Sequence, residues 1–83
     1  MPILNYVSQT AQSVNVTYAD MPAGAALVFH NETSGTDVPA QNGALAAGSG
    51  SADIAIPQLV AGQYRLRAQH GREYLAETVK FYI

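Results

Sequence analysis

Apolar and polar residues alternate along most of this chain, and apolar residues never recur at helical spacing beyond one turn. Period two places successive side chains on opposite faces of an extended strand. Val14, Val16 and Tyr18 alternate with Ser13, Asn15 and Thr17. Leu27 and Phe29 share one face of a strand over Ala25 to His30, with Val28 and His30 on the other. Ala52, Ile54 and Ile56 alternate with Asp53 and Ala55 up to Pro57, and Tyr64, Leu66 and Ala68 with Gln63, Arg65 and Arg67. A last, long strand runs from Tyr74 to Ile83, with Val79, Phe81 and Ile83 on one face and Lys80 and Tyr82 on the other. Glu77 falls on the wrong face of that register, so a β-bulge is expected near residues 76–78.

The interruptions carry turn chemistry. Asp20-Met21-Pro22-Ala23-Gly24 ends the first strand, and His70-Gly71 makes a hairpin. Gly48-Ser49-Gly50-Ser51 reads as a flexible turn. Val38 to Ala47, with Pro39 and Gly43, reads as an irregular edge strand or a connection. The expected fold is therefore all-β, an antiparallel β-sandwich of about seven strands, with a small barrel as the alternative. At 83 residues the chain has the size of one domain, residues 1–83. It has no cysteine, so packing must hold it together, with Tyr64, Leu66, Ile54, Ile56 and Phe81 as candidate core.

Leu59-Val60-Ala61-Gly62-Gln63-Tyr64-Arg65-Leu66 resembles the E–F corner of immunoglobulin-like domains. In that family the glycine stands two before a tyrosine whose ring enters the core. The tyrosine hydroxyl bonds back to the upstream chain, the tyrosine corner. The resemblance implies that role for Tyr64. Leu66 stands where antibody domains carry their second disulfide cysteine, and with no tryptophan present Leu27 or Phe29 must fill that volume. Over residues 13–83 the chain is similar to small cysteine-free immunoglobulin-like modules of bacterial or phage type.

Few residues offer chemistry. The histidines, His30 and His70, fall at a strand end and in a turn. His30 and Glu32 are two apart and can face the same way, but a metal site needs a third ligand. Asn31-Glu32-Thr33 with Thr36-Asp37 is the one oxygen-rich stretch, thin for calcium. The start Met1-Pro2-Ile3 matches the tautomerases, in which a freed proline amine acts as base; those enzymes continue into a long amphipathic helix, which this pattern excludes. No catalytic residue, cofactor or metal is assigned.

All four basic residues, Arg65, Arg67, Arg72 and Lys80, lie after residue 62. Residues 1–62 carry −4 and residues 63–83 carry +2, counted from Asp, Glu, Lys and Arg. Arg65 and Arg67 share a strand face that Lys80 can join, and Tyr82 points outward. Tyr6, Tyr74 and Tyr82 are candidate surface aromatics. Arg65, Arg67, Lys80 and Tyr82 form either a solvated sheet face with cross-strand pairs such as Arg–Glu or a candidate interaction face for an acidic protein surface or a second copy of the chain. A net charge of −2 gives no reason to expect nucleic acid or a membrane. Met1 to Tyr6 has neither the basic segment nor the apolar run of a signal peptide. The expectation is a non-catalytic structural or interaction module, foremost a phage virion accessory protein that decorates a capsid or sits in a tail. The rival is a bacterial surface or secretion-linked module for adhesion or carbohydrate binding.

Overall fold

A computed structural model describes residues 1–83. It contains eight β-strands and no helix. They are β1 (Ile3–Gln9), β2 (Ser13–Met21), β3 (Ala26–Asn31), β4 (Asp37–Ala44), β5 (Gly48–Ala55), β6 (Gln63–His70), β7 (Glu73–Glu77) and β8 (Phe81–Tyr82). One antiparallel sheet has the order β1-β2-β5; the other runs β4-β3-β6-β7, with β8 also on β6. The two sheets pack face to face as a β-sandwich.

The central strands follow their alternation. Val14, Val16 and Tyr18 from β2, Leu27 and Phe29 from β3, and Tyr64, Leu66 and Ala68 from β6 all point inward and are buried. With Leu4, Met21, Ala25, Leu45, Ile54 and Phe81 they form one core of 14 residues. Tyr64 and Phe29 are the largest fully buried side chains. Phe81 meets Phe29 edge-on at 6.5 Å between ring centroids and stacks on Tyr6 at 5.4 Å.

Departures from the expected pattern fall at the edges. Residues 3–9 form a strand that weak alternation concealed: Leu4 and Tyr6 face in, and a bulge between Tyr6 and Ser8 then shifts the phase, leaving both Val7 and Ser8 exposed. Tyr6 is thereby half-buried rather than a surface aromatic. Gly48–Ser51 is not a turn but the first half of β5, with Tyr18 opposite Gly50. A Cβ at Gly50 would lie 3.0 Å from the Tyr18 hydroxyl, so glycine admits the ring where flexibility was expected. β4 is the irregular edge strand. While β3 advances from Ala26 to Val28, β4 moves from Ala44 back to Pro39. Gly43 lies on β3 in that excursion, where a Cβ would come within 2.8 Å of the Leu27 carbonyl oxygen.

The expected last strand breaks in two. Thr78 turns inward and Val79 outward, the reverse of the expected register. The Thr78 N–H donates to the Leu66 carbonyl, and the Leu66 N–H donates to Thr78 Oγ1. One side chain thus replaces a missing rung of the ladder, which a valine-in register cannot do. Ile56 is half-buried, at the rim of the core.

Candidate interaction surface

The register of the larger sheet sets its outer face. His30 lies opposite Arg65, Val28 opposite Arg67, and Arg67 opposite Glu77. Because inward positions are filled by Phe29, Leu66 and Ala68, these side chains project outward together. They form one uninterrupted chain of contacts across the sheet. Asp37 Oδ1 lies 2.6 Å from His30 Nδ1, and His30 Nε2 lies 3.4 Å from Glu32 Oε2. Arg65 Nε donates to Glu32 Oε1 at 2.5 Å, and Arg65 Nη1 to Glu77 Oε2 at 2.5 Å. Arg67 Nε donates to Glu77 Oε1 at 3.1 Å, and its guanidinium sits 5.7 Å from the Tyr74 ring centroid. The network starts on β4, crosses β3 and β6, and ends on β7.

The hydrogen bond that Arg65 donates to Glu32 holds its guanidinium pKa above the ordinary value against the cost of desolvation, with Glu77 adding its charge. Burial, then the Glu77 carboxylate, pushes the Tyr74 phenol above its ordinary value. Each arginine is shared with a carboxylate, and two guanidinium groups face three carboxylates, so the face is not basic. Arg65 and Arg67 are therefore brought together as the sequence pattern implies, but with Glu32 and Glu77 between and beside them. Lys80 is exposed in the gap between β7 and β8 and makes no ion pair. Tyr82 is 68% exposed, its ring at the end of the face and its hydroxyl accepting from Gln63 Nε2 at 2.9 Å. Arg–Glu pairing on this face is one of the two expectations from the sequence; which acids take part was not legible there. The signal for Glu77 was its misfit in the strand register. Glu32 and Asp37 stood in the stretch weighed for calcium.

The Tyr64 hydroxyl donates to the Val60 carbonyl at 2.6 Å and accepts from Asn31 Nδ2 at 3.2 Å. Asn31 Oδ1 in turn accepts the N–H groups of Thr33 and Ser34. This ties the β3–β4 loop to the β5–β6 loop. A groove of about 440 Å³ opens between those loops, lined by Asn31, Ser34, Thr36, Leu59, Val60 and Tyr64 among others. No buried polar side-chain atom is left unpaired anywhere in the chain.

Chemical competence is slight. His30 has carboxylates at both ring nitrogens and no hydroxyl nucleophile among its partners. No three histidine, aspartate or glutamate side chains are grouped so as to hold a metal ion. No helix is long and apolar enough to cross a membrane. Comparison with protein-family models, curated proteins and solved structures finds no match.

Proposed function

We propose that this chain is a non-catalytic structural or interaction module with an immunoglobulin-like sandwich of bacterial or phage type. The strand order β1-β2-β5 against β4-β3-β6-β7, with the Tyr64 hydroxyl on the Val60 carbonyl, supports that type. The particular role proposed is that of a phage virion accessory protein, decorating a capsid or sitting in a tail. The observation that carries the interaction reading is the contrast at one end of the larger sheet. A face whose carboxylates are shared with Arg65 and Arg67 is bordered by an exposed aromatic, Tyr82, and an unpaired cation, Lys80. Aromatic side chains are enriched at protein interfaces. In this reading Tyr82 and Lys80 make the contact, and Arg65 and Arg67 supply a stiff framework at its rim.

Virions assembled with the Tyr82→Ser/Lys80→Glu chain test the proposal: the chain is lost from purified particles, whereas Arg72→Ser leaves it bound. Retention of the double variant at wild-type level contradicts it. The genes flanking this one give a second test, with capsid and tail genes supporting the virion role and secretion genes opposing it. Exposed Tyr74 and Tyr82 on one sheet favour carbohydrate binding as the second reading, and saturable binding on a glycan array would move the assignment there.

A further inference from the structure

A sandwich of two open sheets has four strand edges, and an unguarded edge is a template for another strand. Three of the four are interrupted, by a bulge, a proline or a break in the strand. β1 is bulged at Val7, and the Gln9 side chain beside it donates to the Tyr82 carbonyl at 2.6 Å. β4 carries Pro39 and the excursion that follows it. The β7–β8 edge is interrupted by Thr78–Lys80, and the Gln9 bond occupies the Tyr82 carbonyl.

β5 is different. From Gly50 to Ile56 its pairing with β2 runs through the even-numbered residues, as the bond from the Ile56 N–H to the Gln12 carbonyl fixes the phase; the bulge between Tyr18 and Met21 puts the extra residue on β2, opposite Ser49. The odd-numbered residues therefore direct their N–H and C=O groups outward. At the end of the strand the Asn42 carboxamide takes two of these groups. Its Nδ2 donates to the Asp53 carbonyl at 2.9 Å, and its Oδ1 accepts from the Ala55 N–H at 3.0 Å. Asn42 so stands in for a peptide group of a neighbouring strand. Leu45 is drawn to β3, its N–H on the Ala25 carbonyl. Gly48 to Ser51 are all exposed, and nothing bonds the outward groups of Ser49 and Ser51.

We infer that the Gly48–Ser51 edge pairs with the same edge of a second copy of this chain, antiparallel about a two-fold axis, in a register set by Asn42. A like-with-like antiparallel pair is self-complementary. Ser49 meets Ser51 of the other copy and each exchanges both backbone bonds, which makes four. Gly50 meets Gly50, and Gly48 meets Ala52. No charge, proline or bulky side chain lies in the pairing. Sliding toward the strand end would bring the second copy against Asp53, whose carbonyl Asn42 already holds. An edge this short covers far less than the roughly 1,200 Å² of a standard interface, so the pair forms as concentration rises or where copies are held close together. The inference goes beyond the interaction reading: it adds a contact at an edge of the smaller sheet, separate from the Tyr82 and Lys80 surface.

Sedimentation velocity and amide exchange over a roughly hundredfold range of chain concentration test it. The Ser49 and Ser51 amides are expected to exchange freely when dilute and to become protected in step with a dimer, while the Ala55 amide stays protected throughout. Ser51→Pro removes an N–H with no partner inside the chain and is expected to weaken association by about tenfold or more. Asn42→Ala uncovers two further groups and is expected to strengthen it several-fold. A dimer that Ser51→Pro leaves intact, or Ser49 and Ser51 amides that ignore concentration, would overturn the inference. A chain that stays monomeric yet is captured by virion protein also overturns it, while leaving the interaction reading intact.

Discussion

The outer faces of the two sheets solve the problem of exposure in opposite ways. On β1-β2-β5 the outward residues are small or uncharged, among them Asn5, Ser13, Thr17, Ala19, Ser51 and Ala55. Its one carboxylate in the strands' middle, Asp53, accepts from Asn15 at 2.7 Å. On β4-β3-β6-β7 six side chains from Asp37 to Arg67 are linked edge to edge by polar contacts, the arginine links being ion pairs. The second face shares its charges among neighbours, with Glu32, Arg65 and Glu77 each meeting two partners; the first has few charges to share. Charge separated along the sequence is thus not a dipole on the surface. Folding lays the bases of β6 between acids of the β3–β4 region and of β7, and the separation becomes a set of contacts.

The largest test of that contrast is Arg65→Ala against Asn15→Ala. Removing Arg65 leaves Glu32 and Glu77 facing each other's charge, and the melting temperature is expected to fall by about 10 °C. Removing Asn15 is expected to shift it by about 2 °C or less. Equal losses in circular-dichroism melts would erase the difference between the faces. Thr78→Val comes next. It orphans the Leu66 N–H inside the charged sheet and should cost about 1–2 kcal/mol in urea unfolding; a neutral result would show that the broken last strand re-pairs without it.

Salt separates the faces more gently. Raising ionic strength to about 1 M is expected to lower the wild-type melting temperature by a few degrees. An Arg65→Ala/Glu77→Ala chain should show a smaller drop, since the network is what salt screens. The smallest effect is the Tyr74 titration. Its phenol holds its proton more tightly folded than unfolded, so its contribution is complete below the ordinary value of 10 and is lost as pH rises through the higher folded value. The difference in alkaline absorbance between wild type and Tyr74→Phe should show the Tyr74 phenol ionising late, and Glu77→Gln should bring it earlier.

The residues show how much of this was legible beforehand. Alternation in β2, β3 and β6 announced the inward sets directly, because both neighbours of those strands enforce a regular register. Edge strands have one neighbour and tolerate bulges, so β1, β4 and the split final strand blurred their own pattern. Gly48-Ser49-Gly50-Ser51 misled for a specific reason: its glycine at 50 serves the Tyr18 ring across the sheet, a long-range need that looks local in sequence. Arg65 and Arg67 were readable as a pair on one face. Their acidic partners were not, since Glu32 lies 33 residues from Arg65 and only the strand order joins them. Asn42 gave no signal at all, because its role depends on β4 bending past the end of β5.

The central claim is that the charges of the larger sheet are spent on one another. A double-mutant cycle on Arg65 and Glu77, read from thermal midpoints, tests it most directly. The account predicts strong non-additivity, with Arg65→Ala/Glu77→Ala losing little more than Arg65→Ala alone. Losses that simply add would show two independent surface charges, and would contradict it.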